Sequence, residues 1–195
     1  LYEKRIKFAG GPTERVRLRL DLAKVLEDRS NDPKAAQASL EAALMDDPAD
    51  VDVLAEIERL APVTGGWASA ADALDKAVSE KKDLSSEAAR DLWMRLAEWR
   101  KDKILDNAAA ERAFEQALKH DPSSETILRN IEGLQRVAGR ERELVETLRR
   151  LAALDGLQHQ AADLRREAKG LAEGVLADNA LSEAILRDMI KADDN

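Results

Sequence analysis

Residues 93–122 read WMRLAEWRKDKILDNAAAERAFEQALKHDP, and this stretch decides the fold. Apolar residues recur every three or four positions in each half, which is typical of amphipathic helices. A break near Leu105-Asp106-Asn107 separates the two halves, and Asp121-Pro122 follows the second. We therefore predict two helices joined by a short turn.

Much of this pattern recurs between positions i and i+74 of the sequence. Leu22 and Leu96 form one such pair, and Leu54 and Leu128 form another. Twelve spaced positions match in this way, which helical periodicity alone does not explain. The first members of the matched pairs are Leu22, Ala23, Leu40, Ala43, Leu44, Asp47, Pro48, Leu54, Ile57, Leu60, Gly65 and Leu74. A weaker echo between positions i and i+72 extends to Asp178-Asn179-Ala180. The sequence therefore predicts a repeat protein with a double repeat whose period is 74.

The composition indicates packed helices. Apolar residues make up 44% of the chain, charged residues 36% and aromatic residues only 3%. β-Branched residues are scarce and no alternating strand pattern is present, so we expect an all-α fold with many small Ala and Leu contacts.

The predicted helix pair in residues 84–122 resembles the tetratricopeptide repeat (TPR), whose signature is Trp-x2-Leu-Gly-x2-Tyr, then Ala-x3-Phe, then Pro. Trp93, Leu96, Ala110, Phe114 and Pro122 match it, with about one extra residue in the turn. The resemblance implies a right-handed α-α superhelix, a solenoid of antiparallel helix pairs. It also implies a non-enzymatic scaffold that holds a partner peptide or helix in a concave groove.

The chain departs from the family pattern at the signature Gly, which lets the two helices of a pair approach closely. Ala23 and Ala97 occupy this position in two units, and Glu58 and Glu132 occupy it in two others. The units therefore alternate between two types, as in degenerate bacterial arrays.

We predict a single solenoid over residues 1–195, beginning with the end of a preceding helix and thus belonging to a longer array. Thr13 is the expected N-cap of the first complete unit. The predicted segments are 1–11 (the preceding helix) and the helix pairs 13–48, 49–83, 84–122, 123–156 and 157–195.

Side chains suited to catalysis are few. The chain has no Cys and two His, His120 and His159, which we interpret as helix-capping or surface residues. No Gly-rich phosphate loop is present, so we predict no catalytic residue, cofactor or metal. We interpret Trp93 as a core residue at the motif's packing position. The net charge of −8 argues against nucleic acid, and no apolar run is long enough to span a membrane.

The remaining candidate site is a binding surface of the predicted solenoid. The resemblance places seven residues of the first helices near the concave groove: Arg17, Lys24, Arg59, Met94, Lys101, Arg129 and Arg136. Among them Arg59, Arg129 and Arg136 could pair with carboxylates of an acidic peptide, because Arg offers a bidentate fork. Ordinary solvated polarity is the competing interpretation for each of these residues.

The predicted partner is a protein or peptide, without nucleic acid or direct membrane insertion. The alternative is a structural spacer or self-assembling segment of a larger complex. A third hypothesis is the targeting arm of an enzyme whose catalytic domain lies outside these residues. We expect a cytoplasmic location, with the periplasm as the alternative.

Overall fold

A computed structural model of the chain describes residues 1–193, and within that range it contains helices and no strand. The last two residues of the predicted segment 157–195 lie outside the described part. The helices are α1 (Tyr2–Lys7), α2 (Pro12–Ser30), α3 (Pro33–Leu44), α4 (Val51–Thr64), α5 (Trp67–Glu80), α6 (Ser86–Glu98), α7 (Asn107–His120), α8 (Glu125–Ala138), α9 (Glu141–Ala152), α10 (Gln158–Gly174) and α11 (Asn179–Asp193).

The helices form two compact units, one from Leu1 to His120 and a second that begins at Asp121. In the first unit α2 packs on α3, α4 on α5 and α6 on α7, while α3 and α5 also contact helices of the following pair. In the second unit α8 packs on α9, α9 on α10 and α10 on α11. Because short loops join packed neighbours, each pair is antiparallel. The predicted all-α class and its TPR-like helix pairs are confirmed. That the pairs form one continuous array stays a prediction.

The backbone repeats the predicted period at five residues with a left-handed conformation, which we call corners. Asn31, Leu105 and Ala177 adopt left-handed φ angles of 48°, 62° and 50°. Their positions are related by the same two offsets, 74 and then 72, that the sequence shows. Gly65 and Gly139, also related by the offset of 74, have φ angles of 70° and 64°. Asn31, Leu105, Gly65 and Gly139 are the C-caps of their helical segments, where a left-handed conformation is common, and Ala177 lies in the short loop after α10. The double repeat is therefore a repeat of backbone geometry as well as of sequence.

An aspartate follows each of the three non-glycine corners and caps the next helix. The carboxylates of Asp32, Asp106 and Asp178 accept the backbone N–H three residues later at 2.9, 2.9 and 3.0 Å. The backbone N–H groups of the three aspartates themselves donate to the carbonyl oxygens six residues earlier, at 3.0, 2.8 and 2.8 Å. Each corner therefore satisfies groups that helix ends leave unpaired.

Two local features refine the sequence prediction. After Glu98, the chain continues as a π-helical segment, Trp99–Ile104. A π-helical turn holds one more residue than an α-helical turn, which accommodates the extra residue of this unit. The prediction of Thr13 as an N-cap is wrong: α2 begins at Pro12 with Gly11 as its N-cap. Proline is favoured at the first helical position because it has no N–H to satisfy there.

Candidate binding surfaces

The side chains that bridge one first helix to the next define the surface that we name the first-helix face. In the first unit this face belongs to α2, α4 and α6. Arg17, Lys24 and Glu27 follow one another on α2 at intervals of seven and three residues, which places them on one side of the helix. Glu27 contacts Arg59 of α4, so this side of α2 borders the first-helix face.

Arg59 is held by two carboxylates of the chain. Its Nη1 and Nη2 donate to the two oxygens of Glu27 at 2.9 and 2.5 Å, a bidentate pair, and Nη2 also donates to Glu56 Oε2 at 2.7 Å. These hydrogen bonds raise the pKa of Arg59, and the one from Arg59 lowers the pKa of the Glu27 carboxyl. The fork that was predicted to bind an acidic peptide is already occupied by side chains of the chain.

Glu58 shows why a carboxylate is tolerated where the family has Gly. Its Oε1 accepts Arg95 Nη1 at 2.9 Å and Trp99 Nε1 at 3.1 Å, so α4 is joined to α6 and to the π-helical segment. The Trp99 ring in turn meets Trp67 edge to face, with ring centroids 5.6 Å apart. Here a polar contact between first helices takes the place of close backbone approach.

In the second unit Glu132 is instead paired within its own helix, and two arginines of α8 make the contacts to the next first helix, α10. Arg129 donates to Glu132 Oε2 at 2.9 Å and to Gln160 of α10 at 2.6 Å. Arg136 lies 2.8 Å from Glu132 Oε1 and 2.6 Å from Glu167 of α10. The hydrogen bonds to Glu167 and Glu132 raise the pKa of Arg136. All three arginines predicted to bind an acidic partner therefore have partners within the chain.

The other predicted residues differ in their surroundings. Arg17 and Lys24 are exposed, and neither has a hydrogen-bond or ion-pair partner in residues 1–193. Met94 and Lys101 are half-buried, and Lys101 Nζ lies 5.8 Å from the centre of the buried Phe114 ring. The structure brings Arg17, Lys24 and the pairing partner of Arg59 to one side of α2. Their role in binding stays a prediction.

A cleft with a volume of about 570 Å³ lies elsewhere, lined by residues of α5, α6 and α7. We name it the α5–α7 cleft. The expectation of core burial is wrong for Trp93, which is half-buried and lines this cleft from α6. The lining residues are Asp75, Val78, Ser79, Lys81, Lys82, Leu84, Ala89, Trp93, Arg100, Ala109, Arg112, Ala113, Gln116 and His120.

Positive charge dominates the α5–α7 cleft. Lys82 and Arg112 are exposed and have no side-chain partner in the part of the chain that the structure describes. Arg100 donates to Asp75 at 2.6 Å, and Lys81 donates to the Asp46 carbonyl at 3.1 Å. The single lining carboxylate is thus neutralised within the cleft. Sequence reasoning missed this site because its residues come from three helices, the loop after α5 and the π-helical segment, whose mutual packing had to be known.

The second unit contains a cleft at the equivalent place, between α9 and α11 above α10, with a volume of about 520 Å³. We name it the α9–α11 cleft. Arg149 of α9 donates to Asp188 of α11 at 2.7 Å and lies 3.2 Å from Glu146. The bond to Asp188 raises the pKa of Arg149. Arg165 of α10 donates to the Ala152 carbonyl at 3.1 Å.

Neither His120 nor His159 belongs to a cluster suited to catalysis. His120 Nδ1 lies 3.3 Å from Ser86 Oγ, and His159 Nε2 lies 3.0 Å from the side-chain nitrogen of Gln160. Within residues 1–193 no group of three or more His, Asp or Glu side chains is placed to hold a metal ion. No helix in the same range combines the length and apolarity needed to cross a bilayer.

Comparison with known proteins gives similarity to solved structures only. No family model matches the sequence, and no curated protein is significantly similar to it. One crystal structure of MamA is 19% identical over 76% of this chain and 81% of that chain, with a TM-score of 0.44. A second is 16% identical over 91% and 89%, also at 0.44. YrrB, described as a TPR protein with an unusual peptide-binding site, is 16% identical over 98% and 91%, at 0.46. The TPR-like character of the fold rests on the helix pairs and repeated corners described above.

Proposed function

We propose that this chain is a non-enzymatic protein-interaction module that binds a peptide or helix of a partner protein on its first-helix face. The observation that carries the proposal is the pair of exposed, unpartnered cations Arg17 and Lys24 on one side of α2. Because these two cations have no partner within the described residues, they are available to carboxylates of a partner protein, although the chain as a whole has a net charge of −8.

The ion pairs on the same face support a scaffold role. Arg59 joins α4 to α2, and Glu58 joins α4 to α6, so the backbone beneath the face is tied across successive helix pairs. A surface held in one geometry loses less conformational entropy when a partner binds. Partner recognition would then use the free cations, while the paired arginines keep the face in shape.

The experiment compares charge reversals at free cations. Arg17→Glu combined with Lys24→Glu changes the face without breaking a described ion pair. Reversing Arg59, Arg129 or Arg136 would remove interhelical pairs and confuse folding with binding. Lys4→Glu combined with Lys76→Glu is the matched control, because both lysines are exposed, lie outside the face and have no partner in the described part of the chain. Both double variants have the same net charge.

The readout is quantitative affinity capture from cells with wild-type and variant chains, after circular dichroism has shown equal helicity. We expect a set of captured proteins to be lost with the Arg17/Lys24 variant and retained with the Lys4/Lys76 control. Capture profiles that are the same for all three chains would contradict binding at the first-helix face.

A further inference from the structure

We propose that the α5–α7 cleft is a second binding site, specific for an acidic segment of a partner protein that places an apolar side chain against Trp93. This site lies between second helices of neighbouring pairs and is independent of the first-helix face. The proposal for the α5–α7 cleft does not depend on whether a partner binds the first-helix face.

The charge of the cleft identifies the class of ligand. Four cationic side chains line it, Lys81, Lys82, Arg100 and Arg112, against one carboxylate, that of Asp75. Arg100 pairs with Asp75 at 2.6 Å and with Asp72 at 3.6 Å, and Lys81 lies 3.9 Å from Asp83. Lys82 and Arg112 are therefore the lining cations that no carboxylate of the described residues compensates. In a chain with a net charge of −8, such a local excess of positive charge favours a carboxylate-bearing ligand.

Trp93 supplies the apolar contact. The half-buried indole lines the cleft together with the apolar side chains of Val78 and Ala113. Its Nε1–H has no hydrogen-bond partner within the described residues. A tryptophan with an exposed ring surface and a free donor can pack an apolar side chain and bind a carbonyl oxygen of the same segment.

Size and charge together favour a short acidic segment over a nucleic acid. The volume of about 570 Å³ lies in the range of sites that enclose a few residues or a small molecule, about 300–1,000 Å³. A nucleic acid would bring many phosphates against a chain of net charge −8, whereas a short acidic segment brings few charges. A peptide with acidic residues on either side of one apolar residue fits both properties.

The surroundings of Arg100 also favour an occupant that accepts hydrogen bonds. Arg100 is 15% exposed, and its Nη2 is engaged by Asp75. Its Nε is buried without a hydrogen-bond partner within residues 1–193. An unsatisfied buried donor costs free energy, and a small shift of this side chain toward a bound carboxylate would relieve that cost.

The test uses a phage-displayed library of random peptides, panned against the whole chain at physiological salt. Enriched peptides are synthesised with a fluorophore, and their dissociation constants are measured by anisotropy. We expect the enriched peptides to have net negative charge around an aromatic or aliphatic residue. Lys82→Glu combined with Arg112→Glu should weaken them at least about tenfold, because both charges then repel the peptide. Trp93→Leu should weaken them by a similar factor.

Two matched variants separate this site from the other surface. The Lys4/Lys76 and Arg17/Lys24 double variants have the same net charge as the Lys82/Arg112 variant. The Arg17/Lys24 variant should leave the peptide affinity within about twofold, because α2 does not line the cleft and salt screens distant charges. The Lys4/Lys76 variant should lose less affinity than the Lys82/Arg112 variant, because Lys76 is next to the lining residue Asp75 but does not line the cleft. Enriched peptides without an acidic bias would overturn the proposal. Equal loss of affinity in all three double variants would overturn it too.

A second copy of the chain is the competing occupant, and sedimentation tests it. Concentration-dependent self-association that disappears in the Lys82/Arg112 variant would show that the cleft binds this chain itself, which overturns the proposed partner. A monomer in all variants, together with acidic peptides that need Lys82, Arg112 and Trp93, is the result that we expect.

Discussion

The two clefts are built on equivalent helices, yet their side chains differ at the positions that decide what each cleft can bind. Trp93, which lines the α5–α7 cleft, corresponds at an offset of 72 to Arg165 in the α9–α11 cleft. Asp75 corresponds to Arg149 at an offset of 74, and Gln116 corresponds to Asp188 at an offset of 72. The backbone plan is the same, and three substitutions change the chemistry.

These three differences change which residues form the ion pair in each cleft. In the α9–α11 cleft Arg149 and Asp188 join the two walls at 2.7 Å. In the α5–α7 cleft Asp75 turns to Arg100 at 2.6 Å, and the opposite wall presents the free cation Arg112. The repeat therefore fixes the backbone corners and leaves the second-helix clefts free to differ in charge.

The largest expected effect on stability concerns the core packing of α7 and α11, the helices that form one wall of each cleft. Phe114 of α7 is fully buried, whereas its counterpart Leu186 of α11 is 42% exposed. We expect Phe114→Ala to lower the free energy of unfolding by about 3–5 kcal/mol, because it leaves a cavity. Leu186→Ala should lower it by less than about 1 kcal/mol. Urea denaturation of the two variants measures the difference, and equal losses would show that the two walls are equally packed.

The repeated corners come next in size. Asp106→Ala removes the carboxylate that accepts the Ala109 N–H at 2.9 Å, and we expect a loss of about 1 kcal/mol in the free energy of unfolding. Asp106→Asn keeps an acceptor at the cap and should cost much less. Thermal and urea denaturation of both variants give the comparison. A large loss in Asp106→Asn would assign the stabilisation to charge rather than to capping.

A smaller effect is expected for the ion pair that joins the walls of the α9–α11 cleft. Arg149 and Asp188 are both partly exposed, so their coupling should be about 0.2–1 kcal/mol. A double-mutant cycle with Arg149→Met and Asp188→Asn measures it. A coupling of zero would mean that the pair does not hold the cleft walls together.

The smallest effect concerns the first-helix face and depends on pH. Arg59→Met should cost about 0.5 kcal/mol at neutral pH, since the pairs with Glu27 and Glu56 are partly exposed. Because Arg59 lowers the pKa of Glu27, this stabilisation is present above the unfolded-state pKa of about 4.3 and is lost as the pH falls through the lower folded-state pKa. The stability gap between wild type and variant should therefore narrow below about pH 4. A gap that stays constant down to about pH 2 would remove Glu27 as the cause.

The fold could be predicted because its determinants are local and repeated. Helical spacing of apolar residues indicated the helix pairs, and the break near Leu105-Asp106-Asn107 indicated one of the boundaries between helices. The left-handed corner at Leu105 could not be recognised, because leucine carries no preference for that conformation. It becomes visible only by comparison with Asn31, which occupies the matching position of the preceding double repeat and is a residue type that tolerates this conformation.

The candidate sites were harder because they depend on contacts one repeat apart. Arg59 was predicted to lie near the groove, where it could pair with a carboxylate of a partner, and in the structure it pairs with Glu27, 32 residues before it on the preceding first helix. Arg136 and Glu167 are related in the same way, on the successive first helices α8 and α10. Opposite charges at one repeat spacing were the available signal for these pairs. No such signal exists for the α5–α7 cleft, where Trp93 and Arg112 meet only through tertiary packing.

The occupancy of the α5–α7 cleft can be measured directly with the three tryptophans of the chain. The protein is labelled with 5-fluorotryptophan, and its three ¹⁹F resonances are assigned with the single variants Trp67→Phe, Trp93→Phe and Trp99→Phe. During titration with the enriched acidic peptides we expect the Trp93 resonance to move, while those of Trp67 and Trp99 stay in place. Saturable peptide binding that leaves the Trp93 resonance unchanged would contradict the account.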